Sequence, residues 1–213
     1  MMKTALIAGA TGLIGRQLLT HLLASDQYGK VIAFIRDELP AHPKLIQIKI
    51  DGEKIGALDS GFRVDDVFCC LGTTMAKAHT KEKFYYVDFT LPYLLAKNSL
   101  QHGAKQYLLV SSLGANKQSS IYYNQVKGEI EEAISNIGFE TVHIFRPSLL
   151  LGPRVEKRSA EDAAKFFYRY FGFLIPRKYM AIDSMKVAKA MMHFASQDQR
   201  GNFIHESTVL QNF

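Results

Sequence analysis

A glycine-rich turn near the start of the chain constrains the fold more than any other feature. The segment Gly9-Ala10-Thr11-Gly12-Leu13-Ile14-Gly15 lies between an apolar run at residues 4–8 and an amphipathic helical pattern at about residues 13–24. A strand, a glycine turn and a helix in this order let a pyrophosphate approach the N–H groups at a helix N-terminus, where the helix dipole stabilises negative charge. The turn therefore predicts a dinucleotide site, and a tight turn without a ligand is the alternative.

Short apolar runs alternate with helical patterns along most of the chain. The runs that we interpret as strands lie near residues 4–8, 31–35, 45–50, 67–71, 107–111 and 141–145. Such alternation predicts right-handed βαβ crossovers, and hence an α/β, doubly wound, parallel-sheet Rossmann fold. At 213 residues, we expect residues 1–213 to form a single NAD(P)-binding domain, with about 147–213 contributing a small C-terminal lobe on the substrate side.

The chain carries a formal net charge of +6, but its lysines and arginines form no long run. We therefore expect no nucleic-acid partner, and the positive charge fits a small ligand that carries phosphates. An aromatic run at residues 166–173 has helical spacing, and packing against the sheet domain is the default interpretation. The alternatives are an apolar substrate pocket, a surface for a protein partner or a second copy, and a helix on a membrane surface. No segment is long and apolar enough to predict a transmembrane helix.

The two cysteines and seven histidines indicate where the protein works and what it does not bind. Cys69 and Cys70 are adjacent in an apolar run, so their side chains should point to opposite faces of a strand and form no ordinary disulfide. We therefore expect a reduced, cytoplasmic protein. The histidines form no cluster with ligand spacing, so no metal site is predicted.

The end of the second strand bears on the choice of cofactor. An acidic residue at this point accepts hydrogen bonds from the ribose of NAD, whereas an arginine can pair with the additional phosphate of NADP. Here Arg36 comes first and Asp37 follows. The order favours NADP(H) and leaves NAD(H) possible, and a solvated pair in a loop is the alternative.

Two copies of a Tyr-x-x-x-Lys pattern fall on predicted helices. Tyr123 and Lys127 follow the fifth strand and Ser111-Ser112, and so lie at the carboxyl ends of the strands, where α/β proteins bind ligands. A cation one helical turn away would help the Tyr123 phenol to exchange a proton near neutral pH. Tyr93 precedes the fifth strand, and we interpret it as structural. Ser112 could donate a hydrogen bond to a carbonyl oxygen, or it could only end the strand.

These motifs together resemble the short-chain dehydrogenase/reductase superfamily, in its extended or atypical branches. The matching segments are the glycine turn, Cys70-Leu71-Gly72-Thr73, Val110-Ser111-Ser112, Tyr123 to Lys127, and Arg146-Pro147-Ser148-Leu149-Leu150-Leu151-Gly152-Pro153. Within the superfamily, the chain most resembles the small Tat-interacting oxidoreductase-like proteins. The resemblance implies that Leu71, Gly72 and Thr73 lie along the cofactor, with Asp51 near the adenine and Pro147 and Leu149 beside the nicotinamide.

The resemblance also implies a mechanism, in which hydride transfer from NADPH reduces the carbonyl group of a small molecule. Tyr123 would act as the acid, Lys127 would hold the ribose and Ser112 would orient the carbonyl. The alternative is a regulatory or protein-interaction module that senses NADPH with little turnover. One departure concerns Val87-Asp88, which stand where relatives often carry Asn-Val, so the asparagine of the usual proton relay is in doubt.

Overall fold

The computed structural model describes residues 2–50, 63–151 and 176–213, and these residues contain nine strands. The strands are β1 Lys3–Ala8, β2 Tyr28–Ile35, β3 Leu45–Lys49, β4 Asp66–Cys69, β5 Gln106–Val110, β6 Thr141–Arg146, β7 Leu150–Leu151, β8 Ile182–Asp183 and β9 Gly201–Glu206.

The described helices mostly alternate with the strands. They are α1 Leu13–Ala24, α2 Met75–Ala78, α3 Lys81–Tyr85, α4 Leu91–Gln101, α5 Tyr122–Ser135, α6 Ser184–Ala195 and α7 Ser207–Leu210, with a π-helical turn at Tyr86–Thr90 and a 3₁₀ turn at Arg177–Tyr179. No helix in these described ranges has the length and apolar character needed to cross a membrane.

Seven strands form one parallel sheet in the order β3-β2-β1-β4-β5-β6-β9. The predicted α/β Rossmann fold is thereby confirmed. The chain runs outward from β1 to β3 and then crosses back to place β4 on the other side of β1. At such a reversal the carboxyl ends of neighbouring strands diverge and open a crevice for a ligand.

Apolar side chains cover both faces of the sheet. On one face, Ile7 of β1 packs in a buried cluster with Leu18 of α1 and Val187 of α6. On the other face, Leu95 of α4 and Ile130 of α5 belong to a second buried cluster. Since both faces are covered by helices, the inner strands are apolar without alternation, as expected for a parallel sheet.

The structure adds elements that the sequence pattern did not predict. β9 pairs with β6 as a seventh strand, and β7 pairs with β8 in a small separate sheet. Two elements of the predicted substrate-side lobe are part of the Rossmann core: α6 packs in the helical layer, and β9 is a strand of the main sheet. The remainder of that lobe, including the aromatic run at residues 166–173, lies outside the described residues.

Helix α5 is held against the segment that follows β5 by a close backbone contact at Gly128. A Cβ atom at Gly128 would lie 2.1 Å from the Lys117 nitrogen and 2.3 Å from the Asn116 carbonyl carbon. Only glycine allows this approach, because neither backbone atom can move without displacing the segment. The contact fixes the end of β5 relative to the first turn of α5, which carries Tyr123.

We predict that Gly128→Ala lowers the free energy of unfolding by about 1–3 kcal/mol, because the new methyl group overlaps backbone atoms. Urea unfolding followed by circular dichroism measures the loss. Gly29→Ala is the matched control, since the three atoms nearest to a Cβ there all belong to the Met2 side chain and none is closer than 3.1 Å. Equal losses in the two variants would contradict the assignment of a structural role to the Gly128 contact.

Candidate functional site

The glycine turn joins β1 to α1 through two close contacts. Gly9 has a φ of +82°, and a Cβ atom on it would lie 2.5 Å from the Cys70 carbonyl oxygen. A Cβ atom on Gly15 would lie 2.0 Å from the Gly9 carbonyl oxygen. The Gly12 N–H donates to that same oxygen at 3.0 Å and closes the turn. Gly9 and Gly15 therefore let β1, α1 and the end of β4 approach one another.

A cleft of about 740 Å³ opens at the carboxyl ends of the strands. This volume is typical of a site for a small molecule or cofactor. Most residues predicted for the site lie along its wall: Thr11, Gly12, Leu13, Ile14, Leu71, Gly72, Thr73, Ser112, Tyr123, Lys127, Pro147 and Leu149. The structure thus brings together segments that are up to 138 residues apart, from Thr11 to Leu149.

Three predicted cofactor residues are not on the cleft wall, and a fourth cannot be placed. Gly9 and Gly15 form the packed side of the turn rather than the cleft wall. Arg36 is exposed directly after β2 and is not part of the wall. Asp51 lies outside the described residues.

Tyr123 occupies the first turn of α5 and is half-buried. Its ring packs against the buried ring of Phe84, with 5.4 Å between the ring centroids. The other copy of the pattern is placed differently, because Tyr93 stacks on Phe89 at 6.0 Å and is not part of the cleft wall. Position in the fold therefore distinguishes the two tyrosines.

Lys127 is almost fully buried and forms an ion pair with Asp88 of the π-helical turn. The Lys127 Nζ lies 2.7 Å from Asp88 Oδ1, and both side chains are at most 5% exposed. The second carboxylate oxygen, Asp88 Oδ2, accepts the Thr73 N–H at 2.9 Å. Burial alone would lower the pKa of Lys127, but the negative charge of Asp88 raises this pKa above its ordinary value.

Two serine hydroxyls on the cleft wall lack a hydrogen-bond partner among the described residues. They are the Oγ atoms of Ser111 and Ser112, both of which are buried atoms. A buried polar group without a partner costs about 1–3 kcal/mol, so these hydroxyls are suited to bind an oxygen atom of a ligand. The prediction selected Ser112 as catalytic, and the structure places Ser111 on the same wall.

A second network fixes the wall segment that begins with Pro147. Arg146, the last residue of β6, donates from Nε to Glu131 of α5 at 3.0 Å and from Nη1 to Glu206 of β9 at 2.9 Å. Because charged pairs with this geometry are directional, they hold the end of β6 against α5 and β9. Pro147 follows directly and lies on the cleft wall.

The cleft wall also contains residues that the prediction did not assign to the site. Arg16 of α1 lies on the wall, and its Nη2 donates to the Thr11 carbonyl oxygen at 3.3 Å. Its position four residues after Gly12 places it on the same helical face, a signal that could have been read from the sequence. Asp88 entered the prediction only as part of a departure from relatives, and its acidic side chain in the apolar sequence Tyr86-Val87-Asp88-Phe89 is the signal that could have placed it in the site.

Comparison with known proteins gives matches over most of the chain. The model of the NAD dependent epimerase/dehydratase family matches residues 5–170. The chain is 35% identical over 199 residues to Protein HTATIP2 of Rattus norvegicus, covering 90% of this chain and 80% of that protein. It is 37% identical over 175 residues to the mitochondrial protein fmp52 of Emericella nidulans, covering 78% of this chain and 75% of the relative.

Solved structures with the same fold share little sequence with this chain. The Bordetella bronchiseptica enzyme WbmH, solved with NAD⁺, has a TM-score of 0.74 at 15% identity. The match covers 97% of this chain and 76% of the WbmH chain. A short chain dehydrogenase family protein from Francisella tularensis has a TM-score of 0.71 at 15% identity, with 98% and 99% coverage. These matches, with the sequence relatives, confirm the resemblance to the short-chain dehydrogenase/reductase superfamily.

The expectation of a cytoplasmic protein is wrong. It is contradicted by the similar fungal proteins named fmp52 or FMP52, which are described as mitochondrial. The expectation rested on Cys69 and Cys70, which are free in the structure. Free thiols are compatible with any reducing compartment, so they do not identify one.

Proposed function

Because the chain belongs to the NAD dependent epimerase/dehydratase family, we propose that it is an oxidoreductase that uses NADPH to reduce the carbonyl group of a small molecule. One observation carries the proposal. Residues 11–14 of the glycine turn, Ser111 and Ser112, and the Tyr123–Lys127 pair all line the same cleft.

The residues present fit a dinucleotide. The first N–H groups of α1 have no partner within the helix, and Gly12 before them leaves the backbone accessible, so this end of the cleft suits the pyrophosphate. Gly72 lies on the wall without a side chain to fill the space. Lys127 and Tyr123, further along the wall, would contact the ribose next to the nicotinamide. When bound, the cofactor supplies a hydride to the carbonyl carbon.

The chain itself supplies the proton and holds the substrate. Ser112, with Ser111 beside it, would donate hydrogen bonds to the carbonyl oxygen and orient it. Tyr123 would donate its phenolic proton to the same oxygen, so that the carbonyl gains a hydride and a proton and becomes an alcohol. A module that only senses NADPH is not favoured, because binding alone does not require a proton donor in the cleft.

The preference for NADPH rests on positive charge near the adenosine end. Arg36 follows β2 and is exposed, so its guanidinium is accessible to the additional phosphate of NADP. Arg16 adds a second guanidinium on the cleft wall. NAD(H) is the alternative, because Asp37 could accept from the ribose and solved neighbours are described with NAD.

We predict that Tyr123→Phe lowers turnover about 10²- to 10⁴-fold and leaves the NADPH dissociation constant within a factor of about three, because only the proton donor is lost. NADPH consumption with a panel of aldehydes and ketones measures turnover, and NADPH fluorescence measures binding. Tyr93→Phe, in the second copy of the same pattern, is the matched control and should keep wild-type turnover. Unchanged turnover in Tyr123→Phe would exclude this tyrosine as the acid.

We predict that the wild-type protein binds NADPH more tightly than NADH, and that Arg36→Ala weakens NADPH binding about 10- to 100-fold while changing NADH binding little. The expected loss corresponds to one charge-assisted hydrogen bond to the phosphate. Fluorescence titration with both cofactors measures it. Arg200→Ala is the control, because Arg200 is exposed and precedes β9 at the opposite end of the sheet. Tighter binding of NADH by the wild type would overturn the cofactor preference.

A further inference from the structure

The Asp88–Lys127 pair lies next to Gly72, in the chain segment that lines the cleft. A Cβ atom on Gly72 would lie in van der Waals contact with the pair, 3.4 Å from Asp88 Oδ1 and 3.6 Å from Lys127 Nζ, so the pair adjoins this part of the wall. Asp88 and Lys127 are themselves part of the wall. The pair is therefore a component of the site and not a distant structural ion pair.

The position of the Asp88 carboxylate is fixed from two sides. The π-helical turn Tyr86–Thr90 directs Asp88 into the protein, where 1% of the residue is exposed. The Thr73 N–H then holds Oδ2, which leaves Oδ1 for the Lys127 ammonium at 2.7 Å. A carboxylate restrained in this way can hold a flexible lysine side chain at one point and offset the cost of burying its charge.

We propose that Asp88 is a positioning residue that fixes the Lys127 ammonium at one point of the cleft wall and keeps it charged there. The proposal rests on the proposed function in one respect, which is that Lys127 acts together with Tyr123 in the cleft. A negative charge nearby favours the protonated form of every neighbouring group. Asp88 thus keeps the Lys127 ammonium protonated over a wider pH range.

The other ionisable groups around the pair do not replace Asp88. Cys69 of β4 acts electrostatically on Lys127, but burial raises the pKa of the Cys69 thiol, so the thiol is neutral near neutral pH. Arg16 of α1 and Lys77 of α2 line the same cleft, and both carry positive charge. Among the described residues on the wall, Asp88 is the one acidic side chain.

Substitution of Asp88 by Asn tests the proposal, because the amide keeps the shape of the carboxylate and removes its charge. The measured quantity is the midpoint of proton release from the Lys127 ammonium. We expect this midpoint to fall by about one pH unit or more in Asp88→Asn. NMR titration with ¹³Cε-lysine labels measures it, with the Lys127 signal assigned through Lys127→Met.

Asp66→Asn is the matched control. Asp66 is another buried carboxylate, 1% exposed, and pairs with Tyr28 at 2.7 Å and with Lys3 at 3.0 Å at the amino end of β4. Loss of the Asp66 carboxylate should reduce the stability of the protein and leave the midpoint of proton release from Lys127 unchanged. Stability alone does not separate the two variants, because the loss of either buried ion pair lowers it. A folded Asp88→Asn protein with an unchanged midpoint would therefore overturn the proposal.

The wild-type protein provides a second test that does not depend on the folding of the variant. If Asp88 holds the ammonium, the Lys127 signal titrates above the exposed lysines, and a midpoint below theirs would also overturn the proposal. The proposed function is tested by a different measurement, since absence of NADPH binding in the fluorescence titration would contradict it. A moved midpoint without NADPH binding would keep the role of Asp88 and reject the reductase.

Discussion

The packing of the Gly9 backbone against α1 and against the end of β4 is the constraint from which the site follows. The Gly9 carbonyl oxygen lies where a side chain on Gly15 would begin, and the Cys70 carbonyl oxygen lies where a side chain on Gly9 would begin. Because β1 is an interior strand of the sheet, this contact sets the position of α1 over the strand ends. The helix N-terminus then points into the crevice created by the reversal of strand order.

Acidic side chains neutralise the buried positive charges on the elements that form the cleft. Two buried or partly buried cations on the elements that form the cleft have fixed acidic partners: Lys127 has Asp88, and Arg146 has Glu131 and Glu206. A buried charge without a partner would cost several kcal/mol, so these pairs make the positive charge tolerable inside the fold. Arg16 and Arg36 lie nearer to solvent, where an anionic cofactor can reach them.

Local sequence patterns predicted most of the fold. Strand, glycine turn and helix are read from neighbouring residues, and α1 begins and ends where its pattern indicates, at Leu13 and Ala24. β9 could not be read in this way, because it is an edge strand with four polar or glycine residues among six and is defined by its pairing with β6. The partner of Lys127 was missed because the contact with Asp88 joins residues 39 positions apart and depends on the π-helical turn.

The central claim is that a dinucleotide binds with its pyrophosphate at the N-terminus of α1 and its nicotinamide beside Tyr123. A crystal structure of the protein with NADP⁺ tests this claim most directly. We expect pyrophosphate oxygens within hydrogen-bond distance of the backbone N–H groups of Leu13 and Ile14, and the nicotinamide ring between Tyr123 and Pro147. A cofactor bound away from the Gly9–Gly15 turn, or in the reverse direction along the cleft, would contradict it.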